Sequence, residues 1–372
     1  MIRQRRSPGK PAERFDESID AVRFLAFFLV FIAHISDTIL QRTIAGPSSL
    51  WSSLVQTASA FGRQGVTIFF TLTGFLLARV LIREARKQGE ISIKNFYIRR
   101  ILRIWPLYFL FILGCLFLSK FSQNPTIHWI EVPFLLTFTY NLGQTYYFLP
   151  HSFATITWSL SVEEQIYLFF PWAMKKFGSK DFNFWLYSIA VIGLSARVLE
   201  QVLQNHLIPN TFGYLDVIII GTFFALYEER IQSWFSYRAT PKVVASVAFI
   251  VLYICYYRSI DTASLGKVIA PDITALVAIL LILIFRQIKK IDSIRAVKTL
   301  GYLGRRSYGM YLFHWVIINV MFGRNILYSD ATGFSLMGSL SALTATIMLS
   351  LFSYKYFEQP FLTFRRRFEA NK

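Results

Sequence analysis

An all-α, polytopic helical membrane protein, with about ten transmembrane helices and cytoplasmic N- and C-termini, is the fold class this sequence predicts. Three observations carry the expectation. Hydrophobic residues make up 54% of the 372-residue chain and charged residues only 16%, where a soluble domain carries about 25% charged residues. Ten apolar stretches approach the roughly 20 residues needed to span a bilayer. The basic residues between those stretches fall almost entirely on alternate sides.

The stretches run over 19–40, 65–82, 101–119, 155–174, 182–199, 213–227, 242–257, 269–286, 307–321 and 336–357. Those at 213–227 and 307–321 are short and are expected to extend into their flanks. The first follows MIRQRRSPGKPAER, a basic, proline-containing segment expected to form a flexible tail near the inner leaflet. At about 22 residues it is too long for the ~7–15-residue core of a cleaved signal peptide, and it contains Asp20, Arg23 and His34. The segment 131–149, EVPFLLTFTYNLGQTYYFL, is interrupted by Pro133, Asn141 and Gly143, which points to a re-entrant or interfacial piece and not to an eleventh crossing.

Charge tests this layout. With the N-terminus inside, 30 of the 39 lysines and arginines fall on inner segments and 6 on outer ones, while Arg23, Arg79 and Arg197 lie within helices. An additional crossing at 131–149 would erase that bias. The expected organisation is a basic cytoplasmic tail over 1–18, one membrane domain over 19–362 and a second basic tail over 363–372, multi-pass in the cytoplasmic (inner) membrane. The net charge of +18 then reads as a topology signal, with no nucleic acid as partner. Cys115 and Cys255 both sit in apolar runs and make neither a disulfide framework nor a metal spacing. His128, His151 and His206 fall in outer segments without partners at metal-ligand spacing, so no metal is expected. Phosphate-loop and dinucleotide motifs are absent from the sequence.

Polar residues inside the apolar runs mark the candidate site. A charge at mid-bilayer costs about 2.5–3.5 kcal/mol even on insertion scales, and intramembrane ionisable groups default to functional readings. Arg23 and His34 are eleven residues apart, which puts them on one helix face and about 16 Å apart in depth. Arg23 is near enough to the inner end to snorkel. His34 is either a core histidine bonded to a backbone carbonyl or a base facing a polar cavity. In TWSLSVEEQIYLFFPW, residues 157–172, Glu163 lies about seven residues, or about 10 Å, from the outer end of its helix. That matches the depth expected for His34, so the carboxylate could fix the imidazole tautomer and raise the basicity of the other nitrogen. The other reading of Glu163 is a structural ion pair with Arg23 or Arg197. Trp158, Ser159 and Tyr167 of the same stretch are supporting candidates. Arg100 and Arg103, in RRILRIWPLY, share a helix face. Paired guanidiniums bind phosphate bidentately, and they are also ordinary topogenic charges. His314, in RRSYGMYLFHWVI, is read as a packing residue held by a hydrogen bond.

Taken in order from about residue 15 to 362, six of these pieces resemble the acyltransferase-3 family of integral membrane acyltransferases. They are FDESIDAVRFLAFFLVFIAH, GVTIFFTLTGFLLARVL, RRILRIWPLYFL, TWSLSVEEQIYLFFPW, SYGMYLFHWVI and FEQPFL. Two positions depart from the family pattern: Thr67 stands where it often has aspartate and Thr73 where it has serine. The resemblance implies transfer of an acyl group, often acetyl, from coenzyme A to a hydroxyl of a glycan, a lipid-linked saccharide or a related acceptor. It implies His34 as the catalytic histidine and Arg100 and Arg103 as binders of the coenzyme A phosphates, and it puts Glu163 in the family's Ser-x-x-x-Glu-like stretch that begins at Ser159. The mechanism expected on this reading is direct attack without an acyl-enzyme, with His34 as general base and Glu163 steadying the imidazolium. A stand-alone form without an appended extracytoplasmic domain is expected. The rival class is a glycan or small-molecule transporter or flippase whose buried polar residues line a path. No inverted hydropathy repeat is visible to support it.

Overall fold

A computed structural model describes residues 16–42, 50–121, 127–177, 179, 181–203, 210–288, 295–323 and 334–368. In chain order the helices are α1 (Glu17–Arg42), α2 (Leu50–Gly62), α3 (Gln64–Gln88), α4 (Ile93–Ser119), α5 (Val132–Leu136), α6 (Tyr140–Tyr147), α7 (Thr157–Met174), α8 (Phe182–Leu203) and α9 (Asn210–Gly213). They continue with α10 (Leu215–Leu226), α11 (Glu228–Ser236), α12 (Ala239–Thr262), α13 (Ser264–Ile288), α14 (Arg295–Gly304), α15 (Ser307–Gly323), α16 (Phe334–Ser353) and α17 (Gln359–Arg365). No strand occurs among the described residues. The protein is an all-α, multi-pass membrane protein.

Each of the ten apolar stretches is helical. By length and hydropathy, however, seven continuous helical segments among the described residues could cross a membrane, or eight if a pair bent by 72° (Thr211–Leu226 with Glu228–Ser236) counts as one. The difference from ten lies in α7, α10 and α15. These have 18, 12 and 17 residues, and α7 also carries two glutamates. α1 and α3 occupy the centre of the bundle, whereas α8 and α12 sit at its rim with most of their apolar side chains exposed, as lipid-facing helices do. The tail boundary expected at 362 falls inside α17. Arg99 holds the chain beyond it by donating to the Phe368 carbonyl at 2.7 Å while pairing with Glu84 at 2.7 Å.

Local chemistry sets the ends that matter. Glu17 and Asp20 in the first turn of α1 oppose its dipole. α3 ends at Gly89, whose φ of 79° is left-handed and whose N–H returns to the Ala85 carbonyl. α4 opens on Ser92, which accepts from the Asn95 N–H at 3.4 Å. One close helix crossing is α3 on α10. There a Cβ at Gly74 would overlap the Ile218 carbonyl and one at Gly221 would overlap the Thr71 carbonyl, the small-residue contact typical of membrane helices.

The segment 131–149 doubles back against α4 and α7. Its tip, Phe138, takes φ 54° and stacks on Tyr108 and Trp105 of α4 at 4.4 and 5.6 Å. The Tyr108 hydroxyl donates to the Leu135 carbonyl at 2.8 Å. Its two arms close on buried Glu131, which accepts from Tyr140 at 2.7 Å and Ser152 at 2.6 Å. Glu131, Leu135, Phe138 and Tyr140 are thus buried against the bundle, while Leu136, Tyr147 and Phe148 are exposed.

Candidate active site

A cavity of about 620 Å³ opens between α1, α3, α4, α7, α15 and the chain from 354 to 366. That is the size range of small-molecule sites, roughly 300–1,000 Å³. Eight arginines and four carboxylates line it. Three of these arginines form ion pairs with carboxylates among the described residues. Arg23 lies 3.6 Å from Asp20 and Arg305 lies 3.8 Å from it. Arg79 lies 3.4 Å from Asp16 and 3.2 Å from Glu228, and Arg286, behind the lining, is 2.7 Å from both acids. Burial pushes the Asp16 carboxyl up, but Arg286 and Arg79 outweigh it and hold the group below the usual carboxylate value.

Arg100 and Arg103 differ. They sit one turn apart on α4, face the cavity and have no carboxylate within ion-pair reach among the described residues. The Arg100 guanidinium lies over the rings of Phe96 and Tyr167, 5.5 and 5.3 Å from their centroids. Stacking orients a guanidinium and leaves its in-plane donors available to an anion. Arg23, Ser159, Glu163 and Tyr167 also line the cavity.

Glu163 is held inside this wall. Thr73 donates to one of its oxygens at 3.0 Å and Tyr167 to the other at 2.7 Å. Thr73 thus keeps the hydroxyl that the family pattern supplies through serine. Glu164 points away and accepts from the Trp105 indole at 3.2 Å. Trp158 is not part of the lining. It packs against Phe70 and Tyr214 with ring centroids 6.3 and 6.2 Å away. At the end of the cavity away from Arg305 and Arg366, Ser159 and Tyr311 share a hydrogen bond of 2.6 Å.

The structure does not bring Glu163 to His34. Gly62 packs against Leu29 and Ala33 of α1, which fixes the level of His34. Thr73, the partner of Glu163, lies eleven residues farther along the α2–α3 helix, about 16 Å deeper. The depth match assumed that α7 starts at the membrane edge. It starts deeper because the chain before it is folded into the bundle. Arg197 is not the partner of Glu163 either. It is buried with Asp216 at 2.7 Å and with Asp272, and it donates to the Val268 and Gly213 carbonyls at 2.8 Å each.

His34 instead contacts α15. Its ring centroid lies 5.2 Å from that of His314 and 4.8 Å from Trp315. Trp315 is anchored by its indole N–H to the Ser152 carbonyl at 2.9 Å. The fully buried His314 has Nδ1 2.6 Å from the Tyr311 carbonyl, the hydrogen bond expected from the sequence. On the other side of His34, one turn along α1, Asp37 pairs with Arg63 at 3.6 Å and accepts from Ser59. His34 is not part of the cavity lining, and Phe69, Tyr311 and His314 form the layer between. The sequence reading passed over Trp315, Tyr311 and Asp37. Asp37 was findable from its three-residue spacing to His34, whereas the α1–α15 contacts have no local signal.

Comparison with known proteins agrees with this architecture. The family model described as an acyltransferase domain matches residues 16–355. A Staphylococcus aureus (strain COL) protein, provisionally named an O-acetyltransferase, is 27% identical over 94% of this chain and 57% of its own length. The peptidoglycan O-acetyltransferase OatA of Listeria monocytogenes is 23% identical over 94% of this chain and 56% of its own length. A Haemophilus influenzae protein without an assigned activity is 27% identical over 51% of this chain and 85% of its own length. The chain therefore spans a little over half the length of the first two. No solved structure matches it. With the family model covering nearly the whole chain, and the polar groups of all six sequence stretches gathered in one helical bundle, the protein belongs to the acyltransferase-3 family.

Proposed function

We propose that the chain is an acyl-coenzyme-A-dependent O-acyltransferase of the cytoplasmic (inner) membrane. It moves an acyl group, acetyl by analogy with the named relatives, to a hydroxyl of a glycan or lipid-linked saccharide. The observation that carries the reading is the arginine cavity, in which Arg100 and Arg103 present guanidiniums free of carboxylates. Coenzyme A is an elongated polyanion, and its phosphates suit such donors. The positive-inside bias supports a cytosolic position for this end of the bundle, on the side where coenzyme A is made. The pantetheine arm points inward toward Ser159 and Tyr311. Glu163 belongs to the donor side, fixing Tyr167 beneath Arg100.

His34 acts from the opposite side. It removes the acceptor hydroxyl proton as that oxygen attacks the thioester carbonyl. The carbon–sulfur bond breaks, and the proton passes to the departing thiolate. The thioester end of the pantetheine arm passes the ring layer of Phe69, Tyr311 and His314 before the attack, so that carbonyl, acceptor hydroxyl and His34 meet on one side of it. General-base help of this kind contributes about 10²- to 10⁴-fold.

The test is thiol release from acetyl-coenzyme A by protein in proteoliposomes, with a peptidoglycan-derived disaccharide as acceptor. Wild-type protein should release thiol and acetylate the sugar, and His34→Ala should lose about 100-fold or more. Normal turnover by folded His34→Ala overturns the assignment of the base. Passage of sugar across the bilayer without thiol release would favour transport.

A further inference from the structure

His314 is fully buried, and the bond its Nδ1 makes with the Tyr311 carbonyl fixes its chemistry. A carbonyl oxygen only accepts, so Nδ1 carries the hydrogen and Nε2 is left as a bare lone pair. That Nε2 is buried and has no hydrogen-bond partner. An orphaned buried acceptor is costly and calls for an explanation. Its surroundings are the edge of Phe27 (ring centroids 6.0 Å apart), Tyr311 (5.5 Å) and His34 (5.2 Å). Of these, Phe27 has no donor and the Tyr311 hydroxyl is shared with Ser159, which leaves a ring N–H of His34 as the donor. Imidazole centres 5.2 Å apart leave room for a nitrogen-to-nitrogen hydrogen bond of about 3 Å after a small ring rotation.

We propose that His314 is the positioning residue for His34: its Nε2 accepts the N–H of the protonated His34. It thereby takes the place of the carboxylate that Glu163 is too deep to supply. This rests on His34 being the base. The acceptor hydroxyl gives its proton to one nitrogen of His34, and the other nitrogen, already protonated, turns its hydrogen to His314. The proton gained then leaves with the thiolate, and both rings return to neutral. Trp315 packs against His34 at an interplanar angle of 53° and limits the ring's movement while this happens. The charged groups reaching the pair are Asp37 on α1 and Arg63 at the α2–α3 junction, and they offset each other in their own ion pair.

Two substitutions separate this role from a packing role. His314→Asn keeps an amide donor where Nδ1 stands, for the Tyr311 carbonyl, but has nothing at the Nε2 position. His314→Gln reaches the Nε2 position with an acceptor and gives up the Nδ1 donor. Turnover of acetyl-coenzyme A would be measured for both against pH, with thermal melting in detergent as a folding control. His314→Asn should lose on the order of 10- to 100-fold in kcat at unchanged donor KM, by analogy with loss of the hydrogen-bond partner of a metal-ligating imidazole. His314→Gln should lose less. The ascending limb of kcat should move to lower pH in His314→Asn, because protonated His34 has lost its partner. A histidine kept only for its bond to Tyr311 gives the reverse order. Activity of His314→Asn equal to or above that of His314→Gln, or an unmoved limb, overturns the proposal. Loss in His34→Ala with normal His314→Asn sinks this inference alone, whereas normal His34→Ala sinks both it and the base.

Discussion

Arg100 and His34 show what a residue's neighbours add to its spacing. The Arg-x-x-Arg pair was legible from helical periodicity, since residues three apart share a face. What the spacing could not give was the absence of carboxylate partners, which separates Arg100 and Arg103 from the paired Arg23 and Arg79. From this we expect Arg100→Ala to raise the KM for acetyl-coenzyme A by about tenfold or more, near 1.4 kcal/mol of binding, and to leave the acceptor KM alone. Steady-state kinetics with each substrate varied separately check it, and an unchanged donor KM would assign the pair to topology. For His34 the sequence yielded its helix and its distance from Arg23. It misplaced the partner, because depth counted from helix ends fails when a helix begins inside the bundle. The real neighbours, His314 and Trp315, come from a helix some 280 residues away in sequence.

At the scale of elements, the apolar stretches announced every long helix, because each must satisfy its own backbone in lipid. They did not announce how the helices cross. At the α3–α10 crossing a Cβ on Gly221 would strike the Thr71 carbonyl. Gly221→Val should therefore force the helices apart at a cost of about 1–3 kcal/mol, as overpacking does, seen as a lower melting temperature in detergent. A melting temperature equal to wild type would mean the helices have room to spare. The doubled-back segment was suggested by Pro133, Asn141 and Gly143, but its latch, Glu131, was not. Glu131→Ala leaves Tyr140 and Ser152 without their acceptor, a penalty of about 1–3 kcal/mol. Because the Ser152 carbonyl anchors Trp315 over His34, this variant should also lose kcat. Full activity would uncouple the segment from the site.

For the whole molecule, charge does two things. The lysine and arginine bias is the sequence's signal for an orientation with the basic end inside, and the ion network at that end joins α1 to α3, α11 and α13. Asp16 is central to that network, between Arg79 and Arg286. Its carboxyl lies below the usual value although burial opposes this, because the arginines win. The sign follows: the ionised group stabilises the fold above the unfolded carboxylate value of about 3.9, and that contribution disappears as pH falls through the lower folded value. Asp16→Asn should melt below wild type at pH 7, with the gap closing under strongly acidic conditions. A gap independent of pH would contradict the assignment.

The central claim is that an anionic thioester donor enters the arginine cavity and is held by Arg100 and Arg103. Titration of coenzyme A into purified protein, followed calorimetrically, measures this directly. Saturable one-to-one binding by wild type, weakened at least tenfold in the Arg100→Ala, Arg103→Ala double variant, is the expected result. Absence of binding by wild type, or equal binding by the folded double variant, would contradict it.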